Sequence, residues 1–462
     1  MKKFYDVHMH AFDLSHPNLS AFIFNEDLLK SLWDWKFRAG LLLAPVFSFL
    51  PNRLLTGLIK KVGTKNPYVK NTLSFYDIPI EYQFLLLDYF LKYPDKEEDV
   101  VVEENNRFTV EGEDFDKMVL CPLTIDFGYK NINEEGIFYN KAPFKPIAKQ
   151  VGDLFYSIHT YYRFDLKMPE EKERNRADRL SGAKLKLEEI DKPLTDIKKE
   201  KLFEIYPFMG LNTQNYTMEE LRGKPYTGLL EKYFRDFDKN DTASARAGRL
   251  YDKMGVFNGK MYEKDEEVYK NIFAGIKVYP QLGFDPYPDD KAEREKVEFV
   301  YDYCVEKRIP LMTHCSDGGF KVGNFDRETG PSGKWEKVLE NFPALTVCFA
   351  HFGHQKSGKK TWEKAIIGLA EKYENVYTDI SCNDCSPEFY KQLRNNLGMY
   401  TGIRNKVLYG SDFSINMLAS KIPSYNRYFH RFTENMHDMR QNLYVTNPEN
   451  FLFGGSSDFN IG

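Results

Sequence analysis

The chain has 462 residues, with 64 basic against 68 acidic side chains and a net charge of −4. So even a balance leaves no electrostatic footprint for nucleic acid, and the length suffices for one large α/β barrel or for two domains. The 6 cysteines build no disulfide framework in a chain this long, and Asp6, His8 and His10 interrupt any apolar leader, so a reducing, cytoplasmic location is expected.

The first predicted strand is 2–10, KKFYDVHMH. Alternate residues of a strand share a face, which puts Asp6, His8 and His10 together and Val7 and Met9 opposite. Two imidazoles side by side can grip one metal ion, although a pair of hydrogen-bonded core histidines would have the same spacing. Residues 11–116 come next, far more than one helix needs, and are expected to form an inserted helical cap. Within them the stretch 39–62 (AGLLLAPVFSFLPNRLLTGLIKKV) is too apolar to lie free in water. Its most apolar run is too short to span a bilayer, and a lid over the end of the first strand is the expected use.

The second strand is predicted at 117–126 (KMVLCPLTID). The charges of 168–201 alternate in sign, which predicts an exposed helix and linker. A third strand follows at 202–212 (LFEIYPFMGLN), and then the rhythm becomes regular. Strands are predicted at 273–280, 309–315, 345–351, 375–381 and 406–412, with helices at 290–308 and 358–374 between them. Strand–helix alternation of this kind builds parallel sheets, and eight such units without a GxGxxG fingerprint favour a closed (β/α)8 TIM barrel over a doubly wound sheet. The expected organisation is one α/β barrel domain over 1–462, with long insertions after strand one and before strand three.

Polar residues stand at the strand ends. His8 and His10 end the first strand, Lys277 sits in the fourth, His314 ends the fifth, His351 the sixth and Asp412 the eighth. In a barrel these ends converge on one mouth. Three imidazoles and a carboxylate around one point suit zinc or a similar divalent ion. Asp126 and Asn212 end the second and third strands, where they would meet substrate or make loop hydrogen bonds. Cys382 and Cys385 form a C-x-x-C that follows the seventh strand instead of opening a helix, and they read as loop thiols.

The motifs DVHMH, GIKVYP, PLMTHC, AHFGH and LYGSDF, in that order, with NPENFLF near the end, resemble the amidohydrolase superfamily. The similarity is closest to its amidohydrolase-2 branch, which holds metal-dependent hydrolases and decarboxylases of the aminocarboxymuconate-semialdehyde type. It spans the barrel strands and leaves out the insertions. The resemblance implies one divalent ion, zinc or manganese, held by His8, His10, His314 and Asp412. Asp412 would also take a proton from the reacting water, with His351 polarising the substrate beside it. Lys277 would contact substrate or, if carboxylated as in some superfamily members, bridge two ions. The implied activity is hydrolysis of an amide, lactone or ester-like bond in a small polar molecule. Non-oxidative decarboxylation on the same site is the alternative, and a non-catalytic metal-binding protein a third. Neither substrate identity nor oligomeric state is specified.

Overall fold

The computed structural model describes residues 2–11, 80–92, 102, 108–110, 113–126, 147–167, 186–223, 228–260, 266–319, 330–383, 386–412, 439 and 441–454. The expected lid at 39–62, and most of the 11–116 segment around it, lie outside these residues. The strands are β1 (Lys3–Met9), β2 (Phe108–Val110), β3 (Glu113–Phe115), β4 (Lys117–Pro122), β5 (Phe164–Lys167), β6 (Lys186–Glu189) and β7 (Phe203–Ile205). They continue with β8 (Phe208–Gly210), β9 (Gly275–Val278), β10 (Leu311–Thr313), β11 (Val347–Phe349), β12 (Val376–Asp379) and β13 (Val407–Leu408).

Strands such as MVLC and VCF are buried along their whole length, the signature of parallel strands covered on both faces. One parallel sheet runs β1-β4-β7 and a second runs β13-β12-β11-β10-β9-β8. Backbone bonds join the two at both flanks. Val7 N donates to Tyr409 O (3.2 Å) and Asp412 N to His8 O (2.7 Å), while Thr124 N donates to Phe208 O (3.2 Å) beside a parallel Leu123–Phe208 bridge. The expected third strand is split into β7 and β8, and Pro207, which has no N–H for a ladder, stands in the break.

The helices expected between the later strands are present as Lys291–Lys307 and Thr361–Lys372. Asp290 caps the first by accepting from Glu293 N (2.9 Å). With its parallel sheets and alternating helices, the fold is α/β.

The segment 168–201 departs from expectation in its described part. β6 pairs antiparallel with β5, bringing Leu187 opposite Leu166, and a short helix, Leu194–Glu200, follows. In the sequence Leu185 and Leu187 alternate with lysines, and this period of two outweighs the sign alternation that suggested a helix. Before β4, the helix Gln83–Lys92 lies on Ile147–Arg163. Tyr161 OH donates to Asp88 Oδ2 (3.1 Å) and Ser157 Oγ to Ile80 O (2.5 Å). The β2–β3 hairpin sets Phe108 and Phe115 against Phe4 near the start of β1. The last helix, Asn447–Phe453, also packs at strand starts, where Asn447 Nδ2 donates to Val407 O (2.8 Å) and Phe451 stacks on Phe208. The histidines are thus left to the opposite end. Among the described residues, no helix is long and apolar enough to cross a membrane.

Candidate metal centre

β1 reaches this end through an irregularity. Asp6 pairs with Leu120 and Met9 with Pro122, so three steps on β1 oppose two on β4 and the strand bulges at Val7–His8. The His8 and His10 rings converge, their centroids 5.4 Å apart. His8 Nδ1 lies 2.9 Å from Asp379 Oδ2. A carboxylate accepts, so the proton sits on Nδ1 and the lone pair on Nε2. His10 Nδ1 faces Leu123 O (3.0 Å), which fixes the same tautomer, and its Nε2 lies 3.9 Å from Asp412 Oδ1.

Ligand atoms of His8, His10 and Asp412 all lie within 4.8 Å of one another, and all three residues are buried. His8 Nε2 and Asp412 Oδ1 have no hydrogen-bond partner. A buried nitrogen lone pair and a carboxylate oxygen left unpaired together are costly, and a divalent cation satisfies both. The donor set therefore fits the metal.

The strand ends hold these groups by strained backbone. Asp412 has φ +44°, His351 +61° and Phe352 +47°, the left-handed region that non-glycine residues avoid. Asp6, on the histidine-bearing face of β1, accepts from Ser411 N (2.9 Å) and Ser411 Oγ (2.6 Å), locking the residue next to Asp412. At Gly410 a Cβ would come within 2.7 Å of His8 Cβ, so only glycine lets the chain pass this close.

Burial pushes all four imidazoles, His8, His10, His314 and His351, below their ordinary range, Asp379 opposing this at His8 and His351. They are neutral, the form that binds metal. Burial raises the Asp412 carboxyl well above the usual carboxylate range, with Lys277 pulling it down and Asp379 and Asp6 adding to the rise. Lys277 is pushed down to about 8 by burial, against the pull of Asp379 and Asp412, and its Nζ is buried without a hydrogen-bond partner.

His351 and His314 form a second, linked group. His351 N donates to Asp379 Oδ1 (3.0 Å), and Nδ1 faces Ser381 Oγ (2.9 Å). Ser381 gives its hydroxyl proton to Asp379, so its oxygen accepts from His351 Nδ1–H. His314 stacks on Tyr279 (4.1 Å, 9°), with Nε2 facing Gly318 O (3.2 Å). His351 Nε2 and His314 Nδ1 face each other at 3.1 Å.

Of the residues expected at the site, His8, His10 and Asp412 come together, and His351 packs against His8 with ring centroids 4.8 Å apart. His314 joins through His351 and falls in no ligand trio among the described residues. Asp126 and Asn212 bond locally. Asp126 accepts from Asn212 N (3.0 Å) and Asn215 Nδ2 (2.7 Å), and Asn212 Oδ1 accepts from Gln214 N (3.2 Å). The strand pattern passed over Asp379, the carboxylate that ties β1 to the His351 turn. In NVYTDIS it ends an apolar strand just as Asp412 does, and that was its signal. Burial raises its carboxyl, but the His8 and His351 rings beside it and the hydrogen bonds from His8 and Ser381 outweigh this and hold it well below the usual range.

The family model described as Amidohydrolase matches residues 240–454, so the amidohydrolase likeness carried by the motifs is shown over that stretch, which leaves β1 out. Among solved structures the chain is similar to Amidohydrolase 2 from Bifidobacterium longum subsp. infantis, at 18% identity over 39% of this chain and 61% of that one (TM-score 0.29). It is also similar to a probable 2-pyrone-4,6-dicarboxylic acid hydrolase from Acinetobacter baumannii, at 15% identity over 40% and 65% (TM-score 0.29). A uronate isomerase from Bacillus halodurans is similar at 13% identity over 98% and 91% (TM-score 0.37). The chain spans less than two thirds of the first two structures. No curated protein matches the sequence.

Proposed function

We propose that this chain is a metal-dependent hydrolase of the amidohydrolase type, cleaving an amide, lactone or ester-like bond of a small polar molecule. The observation that carries the reading is the buried His8–His10–Asp412 trio with its two unpartnered ligand atoms. A divalent ion held there, zinc or manganese, would supply Lewis acidity and acidify a water. His8 and His10 present Nε2 toward it, and His314 is proposed as a further ligand. Asp412, whose Oδ1 is buried beside the two histidines without a hydrogen-bond partner, would take the proton of the attacking water. His351, its backbone N–H held by Asp379 and its ring by Ser381, polarises the substrate. Lys277 would contact substrate or, if carboxylated, would help to hold a second ion. Asp126 and Asn212 shape the wall through the loops they fasten.

The proposed frame is a single (β/α)8 barrel, supported by the backbone bonds at both flanks of the two sheets, with 11–116 as an inserted cap. One observation favours a second reaction on the same site. The buried, unpartnered Lys277 ammonium supplies the cation that a non-oxidative decarboxylase needs for its substrate carboxylate. Carbon dioxide release separates the two.

The test of the hydrolase is Asp412→Asn. On a substrate found by panel screening it is expected to lower turnover about 10²–10⁴-fold, while metal content falls less than in His8→Ala. Near-normal turnover overturns the assignment of the base.

A further inference from the structure

Cys382 closes the turn that follows β12, three residues beyond Asp379. Half-buried, it stands beside the centre, although its C-x-x-C context suggested a loop thiol. Its Sγ, a ring nitrogen of His351 and a carboxylate oxygen of Asp412 all lie within 4.8 Å of one another. Ligand atoms that share one zinc ion sit about 3–4 Å apart, given bonds of about 2.0–2.3 Å, so the trio is close to a common coordination shell.

A second observation points to a cation here. Asp412, common to this trio and to the His8–His10 trio, carries the buried, unpartnered Oδ1. The hydrogen bonds of His351 and His314 agree. Nδ1 of His351 and Nε2 of His314 are both committed as donors, to Ser381 and Gly318. In neutral rings, the two nitrogens that face each other at 3.1 Å then both carry lone pairs. Facing lone pairs need a positive charge beside them.

We propose that Cys382 binds the metal centre as a thiolate, on the side bounded by His351 and Asp412. The proposal rests on the metal-centre reading above and adds a soft ligand to it. On binding, the Sγ–H bond breaks, its proton passes to solvent, and the sulfur electron pair forms the bond to the ion, one proton per ion. A thiolate favours zinc and cobalt over manganese and magnesium, so the centre becomes selective in a way that histidines and a carboxylate alone do not achieve.

Cobalt-loaded full-length protein tests this, because a thiolate on cobalt gives a near-ultraviolet charge-transfer band. The band is expected in the native protein and absent in Cys382→Ser and Cys382→Gly, with cobalt still bound by both. Glycine is the safer variant, since Cys382 has φ +56° and glycine enters that region without strain. Zinc affinity is expected to fall more than manganese affinity in both. Bound cobalt without the band, a band that persists in Cys382→Gly, or a Cys382–Cys385 disulfide in the metal-loaded protein would overturn the proposal. Failure of the native protein to retain cobalt at all is a different result, and it overturns the metal centre itself.

Discussion

Asp379 decides what His8 offers. Its carboxylate holds Nδ1–H at 2.9 Å, fixes the tautomer, and accepts from the backbone N of His351 and from the backbone N and hydroxyl of Ser381. Asp379→Asn keeps an acceptor but removes the charge that makes His8 Nε2 a strong donor. Metal affinity is expected to fall about 10–100-fold, read by competition with a chelating dye, and unchanged affinity contradicts the role. Lys277 is the converse case, an ammonium buried without a hydrogen-bond partner. With a folded pKa of about 8 against an ordinary 10.5, the unfolded chain binds more protons across that window. Stability of the chelated protein therefore rises as pH increases from about 8 to about 10.5. Lys277→Met is expected to lack this rise and to be more stable at pH 7 by on the order of 1–3 kcal/mol. Urea unfolding at the two pH values checks it, and an unchanged slope in the variant contradicts it. His8, His10 and Asp412 are legible in the sequence because a polar residue ending an apolar strand needs a reason to be there. Cys382 is not, because a thiol in a turn carries no such signal until the fold sets it beside Asp412.

At the scale of elements, the approach of β1 to β13 shapes the centre. Val7 N and Asp412 N bond across it, Asp6 clamps Ser411, and Gly410 leaves no room for a side chain against His8. Gly410→Ala is expected to cost about 1–3 kcal/mol by overpacking and to weaken metal binding by displacing His8. A melting curve and a metal titration check the two effects, and a variant with native metal affinity contradicts the coupling. The strand–helix rhythm after residue 270 is legible because each strand is a short apolar run between amphipathic helices. The break at Pro207 and the β5–β6 ribbon are less so. A proline inside an apolar run, and two leucines alternating with lysines, are each outweighed over a longer window by the surrounding pattern.

For the molecule as a whole, packing and chemistry are divided between the two ends of the strands. The hairpin β2–β3 and the helix Asn447–Phe453 close off the strand starts, while the strand ends gather four neutral imidazoles, three buried aspartates and a lysine. Convergence of residues so distant in sequence is what parallel strands with a common direction achieve, and it is why spacing alone could propose the set but not its contacts. The claim at the centre of this account is that these groups hold a divalent ion. Elemental analysis of the full-length protein, purified without chelator, tests it most directly. About one zinc or manganese ion per chain is predicted, lost in His8→Ala and restored to the native protein by dialysis after chelation. No retained metal after loading with zinc, manganese or cobalt would contradict it.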